Sequence, residues 1–238
     1  MSMVAFGRVD KTSSIAAHQL GDFYPDSYGR KFVYCKAGAA ELARGLLAVA
    51  PTVVANHINL SYATIPAVGD KVIYVTLGAT LATADQYKDG WLTVQDGTGQ
   101  GRSYPIEGNL AADSAGTCTV YLKEAVDSVG VLAEVGVDLL AGNFNGTVIS
   151  VTDQVDMPVG VPLVTVPAAY YYWSQYCGPC SVLQDSTTPA IGTEITVSAA
   201  TAGAIGERDA AAEVKVGVVG QQTSVSTEYQ LVNLNIGL

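Results

Sequence analysis

Glycine and proline interrupt this chain so often that a long helix has little room to form. There are 25 Gly and 9 Pro among 238 residues. The runs between them are short and rich in β-branched and aromatic side chains. Turn residues Pro25, Asp26, Ser27 and Gly29 precede "KFVYC". In "DKVIYVTL", Val72, Tyr74 and Thr76 alternate with Ile73, Val75 and Leu77, the period of a strand with two unlike faces. "DGWLTVQDGTGQGRSYPIEGN" reads as two strands about a Gly-rich turn. "GTCTVYLKEAV", "YYYWSQY", "GTEITVSAA", "AAEVKVGVVGQQ" and "EYQLVNLNI" continue the series. Short strands at close spacing predict an all-β fold, sandwich or barrel-like. One segment departs from it: "AAELARGLLAVA" predicts one or two helical turns, limited by Gly45 and Pro51.

The expected organisation is two β-rich parts after an N-terminal arm. Residues 1–20 are small and polar and read as an arm or a poorly ordered lead-in. Residues 21–126 form an N-terminal β domain, 127–150 a linker of weak pattern, and 151–238 a C-terminal β domain. Hydrophobic residues make up 49% of the chain, enough for a sizeable core, and charged residues only 14%. Much of the surface must therefore be uncharged, as it is where subunits bury one another. The net charge of −10 disfavours direct binding to a phosphate backbone. No apolar stretch reaches 18 residues, and "MSMVAFGRVD" lacks the pattern of a signal peptide, so neither a membrane span nor secretion is expected. Four cysteines are far fewer than a disulfide scaffold needs. They are expected as free thiols, in a protein made in a reducing cytoplasm.

The sharpest catalytic motif is Cys177-Gly178-Pro179-Cys180, the tetrapeptide of thioredoxin-type oxidoreductases. That chemistry needs a helix opening at the first Cys, whose dipole stabilises the thiolate. Here Thr187, Thr188, Pro189 and Gly192 follow and allow no long helix. The alternative is a β-hairpin turn, with Gly178 and Pro179 as its two central residues and the cysteines reduced, facing each other across it. The preceding Tyr170, Tyr171, Tyr172, Trp173 and Tyr176 would alternate between faces of a strand. They are candidates for protein–protein contact or a sugar platform, or else simply core. "QDGTGQG" lacks the Lys-Ser/Thr and helix of a phosphate loop and reads as a hairpin turn. The only histidines, His18 and His57, are too few for a metal site without help. No carboxylate pair stands out for hydrolysis. No catalytic, metal-ligating or cofactor-binding residue is assigned, and no cofactor is expected.

A wider pattern runs through four segments of the chain. "PVGVPLVTVPAAYYYWSQYCGPCSVLQDSTTPAIGTEITVS" is followed by "VGVVGQQTSVSTEYQLVNLNI". With "LGDFYPDSYGRKFVYCKAGA" and "DQYKDGWLTVQDGTGQGRSYPIEGN", these segments resemble virion structural proteins of tailed bacteriophages, of the capsid decoration or cement kind. The resemblance implies a non-enzymatic protein on the outer surface of the head. Its partners would be the major capsid protein and copies of itself, with a trimer expected, and the arm would order on a neighbouring subunit. It transfers no catalytic or metal residue. A tail, neck or head-fibre protein touching host glycans is the runner-up, and a thiol–disulfide oxidoreductase using Cys177 and Cys180 the third reading.

Overall fold

The structure, a computed structural model, describes residues 9–127, 136–152, 154, 156–185, 188–221 and 226–238. Its strands in chain order are β1 (Phe23–Pro25), β2 (Lys31–Ala37), β3 (Ala48–Val49), β4 (Ser61–Thr64), β5 (Val72–Thr76), β6 (Trp91–Val94), β7 (Ser103–Asn109) and β8 (Thr117–Leu122). Then come β9 (Val137–Leu140), β10 (Asn145–Ile149), β11 (Pro158–Pro162), β12 (Tyr171–Leu183), β13 (Glu194–Val197), β14 (Ile205–Glu207), β15 (Gly217–Gln221) and β16 (Tyr229–Asn235). Among the described residues the helical content is a single 3₁₀ turn, Ala55–His57. The fold is all-β.

The chain forms two compact units. Unit 1 takes residues 1–51 and 143–238, and unit 2 takes residues 52–142. This corrects the sequential division into 21–126 and 151–238. Unit 2 is an excursion out of unit 1, and the strands that flank it pair with each other: β3 and β10 run antiparallel, Val49 opposite Val148 and Ala48 opposite Ile149. Exit and return are thus adjacent, the geometry that lets one domain be inserted in another. Residues 127–150 are not a linker either. They contain β9 and β10, while 128–135 lie outside the described residues.

In unit 1, β2, β10, β3, β11 and β12 close into a ring, because β12 pairs with both β11 and β2. Its interior holds Val33, Cys35, Leu42, Val159, Val166 and Tyr172. The far half of β12 pairs with β16, and the sheet runs on through β15, β13 and β14. Gln184, just past β12, bridges to Ile205 of β14, so these strands also form a ring. Val182, Ile195, Val197, Ile205, Val232 and Leu234 fill it. β12 belongs to both rings. Burying each such Val, Ile or Leu is worth about 1.5–3 kcal/mol.

In unit 2 the sheet order is β4-β5-β8-β7-β6-β9. Leu60, ahead of β4, exchanges backbone hydrogen bonds of 2.8 and 2.9 Å with Val137 of β9, which brings the two edges together. Ile73 and Val75 point inward from β5, with Leu92, Ile106, Val120, Leu122 and Leu139 from its neighbours. The alternation of residues 72–77 is the one seen in the sequence.

The expected helical turns at "AAELARGLLAVA" are absent. The backbone there bonds to distant strands: Leu42 with Val166, the Gly45 N–H with the Pro162 carbonyl, and the Leu47 N–H with the Gly203 carbonyl. Gly45 takes φ +75°, and the Tyr229 ring lies over it. Residues 1–8 of the expected arm lie outside the described residues. Its described part, from Val9, lies on unit 1. Ser13 pairs with Tyr171, and the Ala17 N–H donates to the Tyr34 hydroxyl at 3.0 Å.

Excision provides the test. With Pro51 joined to Asn143 by a short Gly-Ser linker, unit 1 is expected to unfold cooperatively in urea and to give dispersed amide resonances. A collapsed spectrum would show that the two units fold only together.

Candidate functional site

The chemistry-bearing residues of the sequence lie on β12. Its first half runs beside β2, with Tyr171 opposite Lys36, Tyr172 opposite Cys35 and Trp173 opposite Tyr34. Neighbouring side chains leave on opposite faces. Tyr172 enters the first ring and is 1% exposed. Its hydroxyl meets the Thr147 hydroxyl at 3.0 Å. Burial pushes the Tyr172 phenol well above its ordinary pKa, with the neighbouring Cys35 adding to the rise. Trp173 lies on the outer face, 5% exposed, in a cluster with Phe32, Tyr34 and Val9. These two are core. Tyr170, Tyr171 and Tyr176 are half-buried. The Tyr171 ring stacks on Tyr34, with centroids 5.9 Å apart and planes 10° apart, and Lys36 Nζ lies 5.5 Å from its centroid. Tyr176 meets Phe23 edge-on at 5.5 Å. Tyr171 is thus already in contact with an aromatic ring and beside a cation of its own chain.

Cys177-Gly178-Pro179-Cys180 is not a hairpin turn. It is the middle of β12, where the strand leaves β2 and joins β16: Cys177 is opposite Lys31 on one side and Asn235 on the other, and Cys180 is opposite Val232. A bulge between Gln175 and Cys177 marks the change of partner. Gly178 takes φ +87°, and a Cβ there would lie 2.5 Å from the Gly29 carbonyl oxygen. Only Gly fits both the angle and the approach. The buried Gln175 side chain donates from Nε2 to the carbonyls of Cys177 at 3.2 Å and Pro179 at 2.9 Å. This side chain takes up backbone acceptors where β2 has departed. Pro179 is exposed, and its missing N–H is tolerated where β12 has lost one neighbour.

Both cysteines are free thiols. Three residue steps along a strand set Cα atoms roughly 10 Å apart, beyond what a disulfide spans. Cys180 is buried, and desolvation pushes its thiol up to about 12, with Arg30 only partly opposing the rise. A thioredoxin-type nucleophile needs the opposite shift.

The remaining candidates fall into structural roles. His57 is fully buried, its Nδ1 against the Tyr87 hydroxyl and its Nε2 2.9 Å from the Thr80 carbonyl oxygen. His18 packs on Tyr34 and Trp173, with centroids 5.2 and 5.1 Å away. "QDGTGQG" is the β6–β7 hairpin connection. No group of three or more His, Cys, Asp or Glu side chains able to hold a metal occurs among the described residues. No helix of the structure is long and apolar enough to cross a membrane.

A surface the sequence reading overlooked is the outer face of unit 2. On β5 it carries Val72, Tyr74 and Thr76, and opposite them on β8 Tyr121, Thr119 and Thr117. Thr64 of β4 lies opposite Tyr74. Val72, Tyr74 and Tyr121 are exposed, and none of these seven positions is charged. The signal was present in the alternation of residues 72–76, whose outward half is apolar or hydroxylated where a solvated face usually carries charge.

Comparison with protein-family models, with curated proteins and with solved structures finds no match.

Two results are expected at this strand and its hairpin. Gly178→Ala should cost about 3 kcal/mol in urea unfolding, from a strained φ and overpacking together. Cys177→Ala should stay within about 1 kcal/mol. Equal effects would mean that the glycine geometry is not what the strand depends on. Asp26, between β1 and β2, accepts from the N–H groups of Tyr28 and Arg30 and from Arg30 Nε at 2.7 Å. Burial alone would raise its carboxyl, but the Arg30 side-chain and backbone bonds outweigh it and hold the pKa below the ordinary value. The resulting stability is fully present above the unfolded pKa, about 4, and is lost as pH falls through the lower folded value. Asp26→Asn should therefore cost about 1–2 kcal/mol near neutrality and less in acid, as read from urea midpoints between pH 2 and 7.

Proposed function

We propose that this chain is a non-enzymatic structural protein of a tailed-phage virion that attaches to the outside of the head and stabilises it. The observation that carries the reading is the uncharged Val/Thr/Tyr face of β5 and β8. A chain with only 14% charged residues keeps these seven positions free of charge although Val72, Tyr74 and Tyr121 are exposed among the described residues. Such surfaces suit contact with another protein, where Tyr supplies large, rigid area at low entropic cost. The resemblance of the strand segments to decoration and cement proteins supports the same conclusion. So does the β12 geometry, in which the apparent redox motif serves as a strand junction.

The mechanism is linkage. A protein that binds the assembled shell better than free capsid subunits shifts the equilibrium toward the shell. Many copies at fixed spacing add weak contacts into a strong total. Its partners are the major capsid protein and copies of itself. The acidic surface disfavours contact with packaged nucleic acid.

Reconstitution tests the reading. Heads lacking this protein should bind it saturably and then survive higher temperature. Tyr74→Asp with Tyr121→Asp should weaken that binding at least tenfold while urea stability of the free protein stays within about 1 kcal/mol. Absence of binding to heads would overturn the proposal, and binding to host-cell glycan instead would move the protein to a tail or fibre.

A further inference from the structure

An Asp or Asn followed by glycine can close its side chain onto the next backbone nitrogen, because glycine puts no Cβ in the way. The sequence holds three such pairs: Asp89-Gly90, Asp96-Gly97 and Asn145-Gly146. The fold treats them differently. Asp89-Gly90 is locked. Lys123 Nζ holds the Asp89 carboxylate at 2.6 Å, and the Gly90 N–H donates to the Tyr87 carbonyl at 2.9 Å. Gly90 is buried, and a Cβ there would run into the Leu140 carbonyl, so its backbone has no room to turn. Asn145-Gly146 lies in β10, which pairs with β2 on one side and β3 on the other.

Asp96-Gly97 sits in the connection between β6 and β7, with Asp96 exposed. The Gly97 N–H lies 2.6 Å from Asp96 Oδ1, and it has no other acceptor among the described residues. The carboxyl carbon is bonded to that oxygen, so the nitrogen sits close to the atom it would attack, and such attacks start from roughly 3–3.5 Å. None of the ion pairs among the described residues involves Asp96. Gly97, Gly99 and Gly101 take φ values of +74°, +91° and +82°, and glycine gives this loop the freedom to turn its backbone into a ring.

We infer that Asp96 is a site of spontaneous main-chain isomerisation. The Gly97 nitrogen attacks Cγ of the protonated Asp96 carboxyl. The carboxyl's hydroxyl leaves with the nitrogen's proton as water, and a five-membered succinimide joins the two residues. Water then opens the ring. Opening at Cγ restores Asp, and opening at the former main-chain carbonyl leaves the chain running through Cγ, as isoaspartate. One water leaves and one enters, with no oxidant, reductant or cofactor. The product adds a methylene to the backbone and leaves mass and net charge unchanged. Its neighbour Gln95 donates to Asp138, whose other oxygen accepts the Asn59 N–H at 2.8 Å. Those bonds lie beside the Leu60–Val137 closure, so the change falls next to the seam of the unit 2 ring.

The unaltered chain carries its own control. Trypsin cuts after Lys88 and Arg102 and releases one peptide that contains both Asp-Gly pairs. One sample is aged folded in mildly acidic buffer at physiological temperature and a second is aged in urea. Electron-transfer fragmentation then counts isoaspartate at each position. In the folded protein it should accumulate about tenfold faster at Asp96 than at Asp89, the scale on which alignment of reacting atoms acts. In urea the two rates should come together. Equal rates at the two positions in the folded protein would overturn the inference. So would the same ratio in urea, since sequence alone would then set the chemistry.

Discussion

The backbone of β12 at Gly178 is the constraint on which unit 1 depends. A strand of 13 residues cannot serve two closed rings unless it changes partners midway, and the change needs a kink that keeps the ladder hydrogen bonds. The bulge after Gln175 and the positive φ of Gly178 supply it. The Gln175 amide takes up the carbonyls of Cys177 and Pro179 at that point. Replacing the Gly would strain the angle and push β12 away from the β1–β2 turn at Gly29. The loss would fall on both rings, because Tyr172 fills one from the near half of the strand and Val182 the other from the far half.

The same logic makes unit 2 separable. Its ring closes through Leu60 and Val137, both inside residues 52–142. Unit 1 closes through β3 against β10, strands from either side of the insertion. Neither closure borrows a strand from the other unit. An insertion whose ends are already paired neighbours costs little loop entropy, which is why so long an excursion is tolerated.

Local physics was legible in the sequence, and closure was not. The alternation of Ile73 and Val75 against Val72, Tyr74 and Thr76 placed β5 correctly, because one buried face imposes period 2. The Gly-rich segment 95–101 was a hairpin as read. The helix at 39–50 failed because Leu42, Leu47, Ala48 and Val49 are all buried through pairings with residues far along the chain. The turn at 177–180 failed because a Gly-Pro pair inside a strand is rare, and a departing neighbour strand cannot be seen from four residues. The sequential domains failed for the same reason: β3 and β10 are joined by contacts, while composition barely changes between them. At the candidate site, alternation alone made Trp173 and Tyr172 equally available to solvent. The arm over one and the Thr147 hydroxyl beside the other decided against it.

Ring closure also bears on the low charge. Open sheets protect their edges with Lys, Glu and Pro, since an exposed edge invites pairing with another chain. A sheet whose edges meet has less need of them. Charge can then fall without aggregation through edges, and no Lys or Arg occurs between Lys123 and Arg208, the stretch that contains β12. The fold therefore permits an uncharged surface but does not require one at β5 and β8, where Val72, Tyr74 and Tyr121 point outward. Threonine or lysine would satisfy the strand there and keep the unit more soluble. Large rings at positions that folding leaves free are the kind of surface a protein contact uses, and this is the physical ground of the proposed assembly.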